Sequence, residues 1–289
     1  MKRRLVCMLV AALVAAGCGG KKALVPPEKL WGDADQAFQD EAWEYAVDRY
    51  KMFLDQNPFD QRAEEAELRV ALSYYHAHRY PEAIAAFGDF ERMHPTSPNL
   101  AMVEYHLGMS YLSQASTSDR DQQPYANALT YFRNVIDRFP RSPHADKAKL
   151  RTRECRESLA KHEADVAAYY LRHGNILAAE SRLRRLLTEY PETDATAQAL
   201  LAFARTYASR DEPEGVTLTL ATLVRHHPDG PLAREARDHL GGGPDPTAGQ
   251  DPLPLLVTRI DRMRATEDRK KAPPSVSAYP EIGGVNSGY

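Results

Sequence analysis

Three cysteines in 289 residues leave no basis for a disulfide framework. Cys7 lies in an apolar leader and Cys18 directly follows it, so Cys155 has no intramolecular partner in the mature chain and reads as a small packing residue. Long apolar runs are missing too. The longest, from Leu5 to Ala16, is too short to span a bilayer. There is no basic excess: the formal net charge is −3, and losing Lys2, Arg3 and Arg4 with the leader takes it to −6. Without a basic surface or an aromatic-and-basic recognition motif, nucleic-acid binding is not expected. The signatures of catalysis are absent as well, with no H-E-x-x-H, no G-x-S-x-G and no phosphate-cradling glycine loop. His76 and His78, two apart on a helix, diverge and make poor metal ligands, and His162-Glu163 lacks a nucleophile or metal to act on. The sequence predicts no enzyme, no cofactor and no metal.

What it does have is one helix written five times. Tyr80 to Pro95 places Ala83, Phe87 and Phe90 on one helical face and Glu82, Asp89, Glu91 and Arg92 away from it, and Pro95 stops the helix at or near His94. Aligned on that proline, the pattern recurs before Pro58, Pro140, Pro191 and Pro228. Twelve residues ahead of each proline stands a small or β-branched residue: Ala46, Ala83, Ala128, Ala179, Val216. Eight ahead stands a large apolar one: Tyr50, Phe87, Phe132, Leu183, Leu220. Five ahead comes another: Phe53, Phe90, Val135, Leu186, Leu223. A preceding helix carries Tyr74, Tyr111, Tyr170 and Tyr207, the second of these in Leu107-Gly108-x-x-Tyr111. The small residue lets two helix backbones approach and the large one fills the space beside them. This arrangement resembles the tetratricopeptide repeat, and it implies an all-α superhelical array of five antiparallel helix pairs, an α-solenoid, over residues 28–240.

Around that array the chain falls into further parts. Residues 1–17 have a basic start, an apolar run and small residues, the make-up of an export signal. Ala15-Ala16-Gly17-Cys18 resembles a bacterial lipobox, which implies acylation of Cys18; ordinary cleavage after an A-x-A-like site is the alternative. Gly19, rather than aspartate, after that cysteine implies sorting to the outer membrane, facing the periplasm. Residues 18–27 are then a lipidated tether. Asp60 is expected to cap the second pair, and Ser97-Pro98 and Ser142-Pro143 each place a serine cap before a proline at a helix start. An insertion spans Ser113 to Gln123, and a long helix without a breaker runs from Pro143 towards Gly174. Pro231 to Leu240 reads as a capping helix. Residues 241–289, with seven prolines from Pro244 onward, read as a disordered tail, within which Leu255, Leu256, Ile260 and Met263 can line one helical face on a partner.

The passage His162-Glu163-x-x-Val166-Ala167-x-Tyr169-Tyr170, with Gly174, Ala178-Ala179, Arg182 and Tyr190-Pro191-x-Thr193, resembles the fourth repeat of the BamD family. So do the lipobox, His94-Pro95-Thr96-x-Pro98-Asn99, and Asp119-Arg120-Asp121 in the insertion. The family often has arginine where this chain has His173, and the tail after Leu240 has no counterpart in it. The resemblance implies a non-catalytic scaffold of the outer-membrane β-barrel assembly machinery. Its partners would be the POTRA domains of the barrel-forming subunit, other assembly lipoproteins, unfolded outer-membrane proteins and, through the lipid, the membrane. Arg182 stands at a family arginine implied in the POTRA contact, although a solvated charge is the plainer reading of it. Tyr74, Tyr75 and Tyr105 are candidates for a substrate groove and equally suit packing within repeats. A periplasmic adaptor for envelope synthesis or division is the alternative function.

Overall fold

The computed structural model describes residues 25–115, 121–241, 247 and 249–271. Cys18, and Asp119 and Arg120 of the insertion, lie outside them. Among the described residues there are twelve α-helices and no strand. In chain order they are α1 Pro27–Gln39, α2 Trp43–Gln56, α3 Ala63–His76, α4 Tyr80–Met93, α5 Leu100–Ser113, α6 Gln123–Arg138, α7 Pro143–Arg172, α8 Ile176–Glu189, α9 Asp194–Ser209, α10 Pro213–His226, α11 Pro231–Leu240 and α12 Pro252–Lys271. The chain forms two compact units that divide after Ser110.

The repeat columns are the core. Ala46, Ala83, Ala128 and Ala179 are fully buried, as are Tyr50, Phe87, Phe132 and Leu183 eight residues before each proline. Phe53, Phe90, Val135, Leu186 and Leu223 are equally closed to solvent. Burying one such side chain contributes roughly 1.5–3 kcal/mol. The fifth copy departs from the pattern in one respect: Val216 is only half-buried, and Gly215 beside it makes the close approach. A Cβ at Gly215 would lie 2.9 Å from the Tyr207 ring, so α10 and α9 need glycine there.

The turns within pairs repeat as well. Glu41, His78, Gly174 and Asp211 each take a positive φ, between 56° and 72°. The residue after each closes the helix by donating its backbone N–H to a carbonyl five residues back, as Arg79 does to Tyr74 and Asn175 to Tyr170, at 2.9 and 3.0 Å. Tyr74, Tyr170 and Tyr207 of the tyrosine column therefore mark where their helices end, and Ala37 takes that place in the first pair. Only Gly174 adopts this conformation without a Cβ penalty.

Helix starts follow the sequence less evenly. Ser142 caps α7 by accepting from the His144 N–H at 3.2 Å, with Pro143 in the first turn. Ser97 makes the same contact, accepting from the Asn99 N–H at 3.2 Å while its hydroxyl donates to Glu64 at 2.6 Å, but Ser97-Pro98 forms a turn and α5 begins at Leu100. Asp60 likewise braces the turn before α3, accepting from the Arg62 N–H at 2.9 Å, and does not cap the helix itself.

The tail requires a correction. Residues 252–271 form a helix, α12, packed on α10 and α8, with Leu256 and Ile260 fully buried and Met263 exposed. The composition suggests disorder because few large apolar residues are present, but Leu256 and Ile260, with Leu253 and Val257 beside them, dock on this chain's own repeats.

Candidate functional site

In the N-terminal unit, α3 turns its two adjacent tyrosines about 100° apart, as any helix must. Tyr74 is buried; its hydroxyl accepts from Lys51 Nζ at 2.6 Å and the Arg79 guanidinium lies 4.9 Å over its ring. It forms part of a groove of about 340 Å³ with Leu54, Val70, Phe90 and Met93, rimmed by Glu67, Glu82 and Asp89. Tyr75 points elsewhere. Its ring meets His106 edge-on at 4.8 Å, and Tyr105 meets the same imidazole at 5.7 Å. His106 is itself stacked on buried Phe87, 5.7 Å away and 13° from parallel. The three candidate tyrosines are thus one packing residue and a half-buried pair sharing a histidine platform. The helical period already separates Tyr74 from Tyr75; His106 carried no signal of its own.

In the C-terminal unit, Arg182 is held from inside. Glu163 on α7, a carboxylate only 7% exposed, accepts from Arg182 Nη1 at 3.0 Å and from Arg185 Nη1 at 2.7 Å. The Arg182 side chain keeps 35% of its surface open, so its guanidinium is oriented by a buried charge and still reachable by a partner. Glu163 of the His162-Glu163 pair is here the base of that arrangement. The same helix anchors the next repeat: Glu157 accepts from the backbone N–H groups of Asp194 and Ala195, both at 2.9 Å, satisfying the open end of α9. Cys155 on α7 is fully buried, and burial pushes its thiol up to about 12, which suits a packing role.

A second charged cluster was not foreseen. Arg259 of α12 is 7% exposed and pairs with Glu180 of α8 at 3.5 Å and with Glu212 before α10. Its guanidinium lies 4.5 Å over the ring of Tyr207, whose hydroxyl donates to Glu180 at 2.7 Å. Burial raises the Glu180 carboxyl above the usual range, opposed by the Tyr207 and Arg259 contacts, and raises the Tyr207 phenol too. Arg184 to Asp261, at 2.7 Å, adds a surface bond between α8 and α12. The cluster fastens α12 across α8, the helix that carries Arg182, and α10.

Comparison with known proteins places these features. An outer membrane lipoprotein family, YfiO, matches residues 24–223, so α11 and α12 lie beyond the match. The chain is 27% identical over 243 residues to the outer membrane protein assembly factor BamD of Neisseria gonorrhoeae, covering 79% of this chain and 91% of that one. It is 27% identical to BamD of Vibrio cholerae, over 69% of this chain and 88% of that one. The protein of the same name from Caulobacter vibrioides is 29% identical, over 69% and 68%. With helix pairs, buried repeat columns and a family match over most of its length, the chain belongs to the YfiO outer membrane lipoprotein family, the family of the BamD assembly factors.

Proposed function

We propose that this protein is a non-catalytic scaffold subunit of the machinery that assembles β-barrel proteins in the outer membrane, anchored there through acylated Cys18 and facing the periplasm. The observation that carries the reading is the similarity to outer membrane protein assembly factors across most of the chain. The paired-helix architecture supports it, because such arrays present extended surfaces to peptides and folded domains. In this reading Arg182 meets a carboxylate on a POTRA domain of the barrel-forming subunit, with Glu163 fixing the guanidinium beforehand. The N-terminal unit receives extended segments of unfolded outer-membrane proteins.

The test is affinity capture of the C-terminally tagged chain from detergent-solubilised outer membrane, with mass spectrometry of what comes with it. A POTRA-bearing barrel protein in near-stoichiometric amount is the expected result. Division or peptidoglycan proteins in its place would overturn the assembly reading in favour of an envelope adaptor. Arg182→Glu is expected to weaken POTRA binding by about 2 kcal/mol or more, since it reverses a charge in a pre-oriented contact. Calorimetric titration of the variant, with circular dichroism as a folding check, measures this; unchanged affinity removes Arg182 from the interface.

For the substrate surface, this reading divides the tyrosines by role. Tyr75→Ala with Tyr105→Ala is expected to lower affinity for an unfolded barrel-protein peptide by roughly tenfold, the loss of two half-exposed aromatic contacts. Tyr74→Ala is expected to lower stability instead. Peptide binding by fluorescence anisotropy separates the two, and equal affinity in the double variant rejects the assignment.

A further inference from the structure

Phe59 is 99% exposed, at the tip of the turn that joins α2 to α3. A side chain so placed is usually on a mobile loop, but this turn is braced on both sides. Asn57 Nδ2 donates to the Phe53 carbonyl at 3.1 Å, and Asp60 N–H to the Asn57 carbonyl at 3.1 Å. Asp60 is bonded to Arg62 at 2.9 Å, and Arg62 reaches Glu28 at 3.0 Å while lying 5.1 Å over Trp31. Phe59 is therefore held out in water by a fixed scaffold.

The same contacts say what lies nearby. Val25 donates its backbone N–H to Gln56 Oε1 at 3.2 Å, which pins the start of the described chain to the end of the unit that carries Phe59. Val25 lies only seven positions beyond Cys18, a reach of at most about 25 Å. Pro26, Pro27 and Pro58 are exposed at this end, and the intervening segment carries Lys21 and Lys22, which suit lipid headgroups. We infer that this end of the N-terminal unit rests on the lipid leaflet, with the Phe59 side chain inserted at the interface beside the anchor. The inference rests on Cys18 being acylated. The chains at Cys18 hold the protein at the membrane, and Phe59, moored within one short tether of them, fixes which end of the unit faces it. Lipid is favoured over a protein partner because the tether confines this turn to the neighbourhood of the bilayer.

The experiment uses the acylated full-length protein in phosphatidylethanolamine–phosphatidylglycerol vesicles. An environment-sensitive fluorophore is attached at Gln61→Cys, next to the turn, or at Gln39→Cys, at the far end of α1, about 20 Å away along a 13-residue helix. Buried Cys155 is spared and Cys18 is blocked by its lipid. Flotation with the vesicles, strong quenching at position 61 by shallow nitroxide lipids and little at 39 is the expected result. Phe59→Asp is expected to shift the position-61 signal about tenfold toward the free state, since burying a phenylalanine favours the inserted form by that factor or more. Equal quenching at 61 with phenylalanine and with aspartate, in protein that still floats, overturns the Phe59 contact and leaves the anchor standing. Failure to float, with Cys18 unmodified by mass spectrometry, overturns the anchor and the inference with it.

Discussion

Arg259→Ala is expected to destabilise the C-terminal unit by about 3–5 kcal/mol, the usual consequence of removing one member of a buried ion pair. Glu180 is 3% exposed and Glu212 21% exposed, and both face the arginine. Without it Glu180 is left buried with no countercharge while Glu212 keeps only Arg210, and the Tyr207 hydroxyl is the remaining donor to Glu180. Glu180 is already pushed towards its protonated form by burial, so the variant drives it further in that direction. Leu256 and Ile260, with Leu253 and Val257 beside them and the Arg184–Asp261 surface pair, are then left to hold α12. Denaturant unfolding followed by circular dichroism gives the loss, and hydrogen exchange should show residues 252–271 opening first. Replacing both ions, with Glu180→Gln and Arg259→Met, should restore most of the stability, because no uncompensated charge remains buried. A single variant as stable as the parent would mean that α12 is not seated as described.

Phe87→Ala is expected to cost a similar amount, about 3–5 kcal/mol, by a different mechanism. The side chain is fully buried, and its deletion removes transfer energy and leaves a cavity that helices fixed by their turns cannot close. The loss should not stay in the core. His106 is stacked on this ring and carries the edges of Tyr75 and Tyr105. Exchange protection should fall across residues 63–110, and affinity for a barrel-protein peptide should fall with it. Phe87→Leu, which refills most of the volume, should recover stability more fully than it recovers peptide binding, since leucine offers no flat face to the imidazole. Equal recovery of both would argue that His106 does not position the tyrosines.

Most of the fold was written in the sequence because repetition amplifies a weak signal. One alanine before one phenylalanine means little, but three columns aligned in five copies before five prolines fix helix ends, pairing and the buried face together. Ser142 and Ser97 each accept the backbone N–H two residues on, as the Ser-Pro pattern leads one to expect, but the further bond from Ser97 to Glu64, 33 residues away, was not legible. The same non-local blindness hid the clasp. Arg259 stands in a stretch of arginines, and only the fold reveals that it meets Glu180, 79 residues earlier. Gly215 gave a clue in retrospect: it stands one position from the repeat column, where the space is needed for the Tyr207 ring and the arginine above it.

The long helix α7 has a further consequence. It packs against α6, α8 and α9, so the elements at its two ends are joined by one continuous rod of 30 residues. Each residue of an α-helix advances about 100° around its axis. The number of residues between the α6 contacts and Glu163 therefore sets the direction in which Arg182 looks, as a compass bearing is set by the turn of a shaft. A one-residue insertion would swing every later repeat by about 100° without disturbing the packing inside any of them. Seven added residues would return it to within about 20° of its first heading, at the cost of moving it about 10 Å along the axis. The heading of Arg182 in this unit is stored as a residue count along α7.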